Sequence, residues 1–178
     1  MKKLLLMFLA LIMCLPALAE ETADPLGAFE VTVPDWVQTV ENAGGTSVTF
    51  VHENGTTRVV AMAVERVPDP EADHAAELEK LMAQFAPQAG VGEPLTLTAG
   101  FHGLRAITPE ALEGADGARI DQVTVMVLWQ SALHGELLIL SGYDMGGDTA
   151  AAEAFIEVLL AAVTVNDAPV LPLPALPE

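Results

Sequence analysis

The chain has 178 residues with 25 acidic and 7 basic side chains, a formal charge of −18. So acidic a surface repels phosphate backbones and anionic headgroups, which argues against nucleic acid and against electrostatic docking on membranes. The single cysteine, Cys14, leaves no disulfide to form, so the fold must rest on its core.

Met1-Lys2-Lys3 is a short cationic start, Leu4 to Leu15 an apolar run, and Ala17-Leu18-Ala19 ends it with small residues. This is the pattern of a secretory signal peptide, too short for a stable transmembrane helix, and cleavage is expected between Ala19 and Glu20. Cys14 follows Met13 rather than the small residue that lipoprotein processing requires, so ordinary cleavage and a periplasmic location are expected. Loss of Lys2 and Lys3 takes the formal charge from −18 to −20. What remains suits one domain of common size.

Residues 20–27 read as a flexible N-terminal segment. Phe29 to Val33 alternates apolar with polar, the period of a half-buried strand, and Pro34 ends it. Ser47 to His52 and Thr57 to Val67 are expected to pair as a hairpin through Glu53-Asn54-Gly55, whose Asn and Gly tolerate positive φ. Asp69-Pro70-Glu71 opens a helix, with Ala75, Leu78, Met82 and Phe85 at helical spacing and Pro87 stopping it. Short strands follow near Pro94–Thr98 and Leu104–Thr108, then a loop over Glu110–Gly117. Arg119–Gln130 and Glu136–Tyr143 are the two clearest strands, turned through Ser131 to Gly135. Asp148 or Thr149 caps a second helix reaching about Val163, whose only charges are Glu153 and Glu157. Residues 166–178 carry Pro169, Pro172, Pro174 and Pro177 and read as a loose Pro-rich tail.

With that order assembled, Phe29-Glu30-Val31-Thr32-Val33-Pro34-Asp35-Trp36 resembles the opening of DcrB-like domains, which share a fold with the PsbP subunits of photosystem II. The Gly that often precedes the Trp is missing. The resemblance covers about residues 28–165 and implies an α+β fold: a single antiparallel β-sheet with helices packed on it, a PsbP/DcrB-like α/β sandwich. It also implies a non-enzymatic role, since members serve as assembly factors, adaptors, chaperones and exported proteins. It transfers no binding residue; Trp36 is expected to anchor the end of the first strand.

Chemistry is sparse. His52, His74, His102 and His134 show no zinc-motif spacing, so no metal site is expected. Asp144-Met145-Gly146-Gly147-Asp148 and Glu113-Gly114-Ala115-Asp116-Gly117 put carboxylates on glycine-bearing loops without the ligand order of an EF-hand, and Asp148 has a simpler task as a cap. Ser47, Ser131 and Ser141 are the only serines, and Ser141-Gly142 lies at a strand end rather than in a nucleophile elbow. No Gly-x-x-x-x-Gly-Lys run cradles a phosphate. No catalytic residue and no cofactor are therefore expected.

The leading expectation is an exported binding or assembly module for an unknown protein partner. The alternative is a periplasmic carrier or chaperone for apolar ligands or segments, working through the sheet face or the second helix. A metal-dependent enzyme ranks third, since it needs histidines and carboxylates to converge.

Overall fold

The computed structural model describes residues 25–69, 71–114 and 117–172. Its frame grows from hairpins. Strand β3 (Val48–Val51) turns into β4 (Thr57–Arg66), with Val51 opposite Arg58. Only Gly55 of the turn takes a positive φ, +73°. Asn54 contributes through its side chain, whose Oδ1 accepts from the amides of Thr56 and Thr57 at 3.0 Å each. Strand β7 (Arg119–Gln130) turns into β8 (Gly135–Asp144), and β8 pairs antiparallel with β4 along its whole length.

Strands β2 (Gln38–Glu41), β5 (Glu93–Leu95) and β6 (Phe101–Glu113) complete a seven-stranded sheet in the order β2-β3-β4-β8-β7-β6-β5. The fold class is α+β, with two helices and mostly antiparallel strands among the described residues. Instead of one sheet there are two among the described residues, however. A three-stranded sheet, β1-β9-β10, is made from β1 (Glu30–Val31), β9 (Val163–Val165) and β10 (Ala168–Pro169). The alternating run at Phe29–Val33 therefore joins the chain's C-terminal part, not the main sheet.

Helix α1 (His74–Phe85) and helix α2 (Thr149–Ala161) lie on opposite faces of the large sheet. The alternation of the strands decides which side chains each meets. Val59, Ala61, Val123, Val125, Val127, Leu138 and Leu140 point to the α2 side and form the main core with Phe155, Ile156 and Leu159. The small sheet adds Val163, Val165 and Val170 to that layer. Leu104, Met126, Leu128, Leu137 and Ile139 point the other way, against Leu78, Leu81 and Met82 of α1.

Several boundaries differ from the sequence reading. The N-cap of α1 is Asp73, accepting from Ala75 N and Ala76 N; Asp69 is spent on a local bond from Glu71 N at 3.2 Å. Strand β6 does not stop at Thr108 but resumes at Leu112 after a bulge, consuming half of the expected loop, and its bulge is pinned where Glu110 N donates to Asp121 Oδ1 at 3.0 Å. Residues 25–27 are not loose: Leu26 is buried and Pro25 O accepts from Ala63 N at 2.8 Å, satisfying β4 where β3 no longer flanks it. Nor is residue 166 the start of a loose tail. Asn166 and Asp167 both take positive φ and make a two-residue turn between paired Val165 and Ala168, after which Val170 is fully buried. Ala19, Glu20, Cys14 and the remaining tail from residue 173 lie outside the described residues.

Candidate functional site

Helix α1 covers only part of its sheet face. The ladder rows beyond its reach run Thr49–Val60–Ser141–Thr124 and, next to them, Val51–Arg58–Tyr143, with Gln122 and Thr108 continuing on β7 and β6. These residues alternate with core-facing neighbours, so they all present to one side. Arg58, Val60, Ser141, Tyr143 and Gln122 are half-buried.

The side chains of Arg58, Ser141, Tyr143 and Gln122 have no hydrogen-bond or ion-pair partner among the described residues. Among the described residues, Arg66 pairs with Glu77, Arg105 with Glu93 and Glu153, and Arg119 with Glu113. Arg58 has no such partner, and its Nε is buried without a hydrogen bond. The Thr108 hydroxyl is likewise buried and unpaired. Sequence reasoning missed this face, because only strand order reveals that Arg58, Ser141, Tyr143 and Gln122 are neighbours.

The histidines fall into three surroundings. His52 lies in an aromatic cluster, 4.8 Å from the Trp36 ring centre and 5.3 Å from that of Phe155. Trp36 itself packs against the main core, 6.0 Å from Phe155. His134 is exposed in the β7–β8 turn, where its backbone closes the loop with Ser131. His74 and His102 come together at that same end of the sheet, with ring centres 4.4 Å apart. His74 Nδ1 is 3.8 Å from Glu77 Oε2, and His74 Nε2 is 3.4 Å from the Gln130 amide nitrogen. Burial, with the neighbouring His74, lowers the pKa of His102. A groove of about 510 Å³, lined by Arg66, Asp69, Glu77 and Lys80 among others, runs beside this cluster.

The carboxylate loops serve the fold. Asp144 accepts from Thr56 and Thr57 hydroxyls and from Gly146 N, and Asp148 caps α2 through Ala151 N at 3.1 Å. No serine hydroxyl meets a histidine ring among the described residues: Ser47 bonds Asn42, and Ser131 bonds the His134 backbone. No group of three or more His, Cys, Asp or Glu stands at metal-binding geometry among them. Asp116 of the second glycine-bearing loop lies outside the described residues.

These features define an α+β protein whose large sheet carries one covered and one half-open face. No family model matches its sequence, and no curated protein matches it. LpqN of Mycobacterium tuberculosis, a protein involved in cell envelope biogenesis, is similar in its crystal structure at a TM-score of 0.55 and 18% identity, over 77% of this chain and 82% of LpqN. At that identity the likeness shows the fold alone. No helix among the described residues is long and apolar enough to cross a membrane.

Proposed function

We propose that the chain is an exported, non-catalytic binding or assembly module of the cell envelope, and that the open half of the large sheet is its docking face. The observation that carries this reading is a group of polar side chains on one face, Arg58, Ser141, Tyr143 and Gln122, that have no partner among the described residues and lie beside the α1-covered half. Polar surface left unpaired within a fold is free to pair with a partner, and an Arg–Tyr combination is the composition that interface centres favour. The resemblance of residues 29–36 to DcrB-like and PsbP-like openings supports a non-enzymatic role, and the shared fold with LpqN supports an envelope setting.

The carrier reading has less support. The apolar sides of α2 are spent on the sheet through Ala152, Phe155, Ile156, Leu159 and Leu160. Its outward positions are Ala150, Ala154 and Ala161, too small to grip an apolar segment, and Glu157, which is charged.

The test is a photo-crosslinking residue placed in living cells at position 141 or 143, with position 154 on α2 as control. One discrete adduct from the sheet positions, lost on Arg58→Glu and absent from position 154, is expected. Adducts from position 154 alone, or no adduct from either sheet position, overturn the reading.

A further inference from the structure

We propose that His74 and His102 form a two-imidazole site for a divalent transition-metal ion, with Glu77 orienting His74. The two stand 28 positions apart in sequence, so no motif spacing announces the pair. The fold brings the first residue of α1 beside the second residue of β6, ring centres 4.4 Å apart and planes tilted by 47°.

The two nitrogens of His74 have different surroundings. Nδ1 is buried without a hydrogen bond, and the carboxylate that faces it is Glu77, with Oε2 at 3.8 Å. The other Glu77 oxygen is held by Arg66, which fixes where that carboxylate stands. A carboxylate on one side of an imidazole favours the tautomer whose proton is on that side, leaving the other lone pair free. Metal-bound histidines recurrently donate their second N–H to a carboxylate, and Glu77 is the carboxylate that faces His74 Nδ1. The freed atom is Nε2, whose polar contact among the described residues is a long one to the Gln130 carboxamide nitrogen at 3.4 Å. An incoming ion displaces that contact at small cost.

His102 completes the pair. It is exposed and has no hydrogen bond among the described residues. A chain of formal charge −18 concentrates cations around it, and Asp69, Glu71 and Asp73 lead into the helix that carries His74. Paired imidazoles without thiolate select zinc, copper or nickel over calcium or magnesium. No third side chain stands at coordinating distance among the described residues, so water fills the remaining positions and the affinity is expected to be modest.

The test is a titration of the purified protein, free of any histidine tag, with zinc chloride in a non-chelating buffer at pH 7.5. It is followed by calorimetry and by the nitrogen resonances of the histidine rings. One equivalent is expected to bind with a dissociation constant on the order of micromolar, moving the His74 and His102 rings together and leaving His52 in place. His102→Gln, at an exposed position that need not disturb folding, is expected to weaken binding at least about tenfold. Glu77→Gln is expected to weaken it about 10- to 100-fold and to shift the His74 tautomer in the metal-free protein. Unchanged zinc affinity in His102→Gln, or no saturable binding up to about 1 mM, overturns the proposal.

Discussion

Thr57 Oγ1 donates to Asp144 Oδ2 at 2.7 Å, tying residues 87 positions apart where β4 begins and β8 ends. Thr56 Oγ1 donates to the same oxygen at 2.8 Å, and Gly146 N to the other oxygen at 2.8 Å. Asn54 Nδ2 donates in turn to Thr57 Oγ1 at 2.9 Å, so the β3–β4 turn and the β8–α2 loop form one hydrogen-bonded chain. Burial pushes the Asp144 carboxyl up, but the hydroxyls of Thr57 and Thr56 and the backbone amides of Gly146 and Asp148 outweigh it, and the net shift is downward.

A carboxyl depressed in the folded state stabilises above its unfolded value near 3.9, and loses that contribution as pH falls through the folded value. Asp144→Asn is therefore expected to destabilise the protein at pH 7 by about 1–3 kcal/mol, the cost of a buried network that loses its charged acceptor. Urea unfolding at pH 7 and pH 3 checks it: the gap between wild type and variant should narrow at the lower pH. An equal gap at both would place the Asp144 contribution outside its charge.

What the sequence revealed was what local chemistry decides. Asp148 caps α2 as expected, because the cap acts within three residues. The first helix misled, since Asp69 and Asp73 offer the same chemistry four residues apart and only the entry path of the chain selects Asp73. Asn166-Asp167 is a two-residue turn with both residues at positive φ, but the prolines around it masked the short strand that follows. Tertiary relationships were out of reach. The joining of β1 to β9, the half-open polar face and the His74–His102 pair all depend on which strands lie side by side. Helices and hairpins are local, whereas sheet order is not.

The N-terminal arm gives a second expectation. Glu136 Oε2 accepts from Ala28 N at 2.6 Å, across 108 positions, and Gly27 lies so close that a Cβ there would press on the same carboxylate. Gly27 also takes φ +57°, a left-handed conformation that costs other residues about 1 kcal/mol. Gly27→Ala and Glu136→Ala should both loosen residues 25–28, speeding cleavage there by a nonspecific protease at native conditions. Phe29→Ala, which empties a fully buried site behind the arm, should cost about 3–5 kcal/mol. Wild-type protease resistance in Glu136→Ala would show that the apolar anchors hold the arm without the carboxylate.

Gly142 sets how closely α2 approaches the sheet. A Cβ at this position would stand 2.7 Å from Ile156 Cδ1 and 3.3 Å from Val59 Cγ2. The Ile156 methyl is the end of a flexible chain, so Gly142→Ala is expected to cost about 1–3 kcal/mol rather than to prevent folding. Ile156→Val removes the crowded methyl. The double variant should therefore be more stable than the two single losses sum to, by about 0.5–3 kcal/mol in a double-mutant cycle. Simple additivity would place the strain elsewhere than in this contact.

His102 gives the chain a pH dependence near neutrality. Partial burial of the ring, then the charge of His74, lowers its pKa from the ordinary value of 6.5. For a base depressed by folding, the unfolded chain binds the proton more readily, so stability rises with pH across the interval between the two values. The contribution is complete above about 6.5 and is lost as pH falls through the folded value. Wild type should therefore lose midpoint temperature between pH 7.5 and pH 5 more steeply than His102→Gln, in which the titrating ring is gone. His74→Gln separates the two causes, because removing the neighbouring charge while leaving burial should bring the His102 titration, followed by its ring resonances, part of the way back toward 6.5. A full return would assign the whole shift to the pair, and no return would assign it to burial alone.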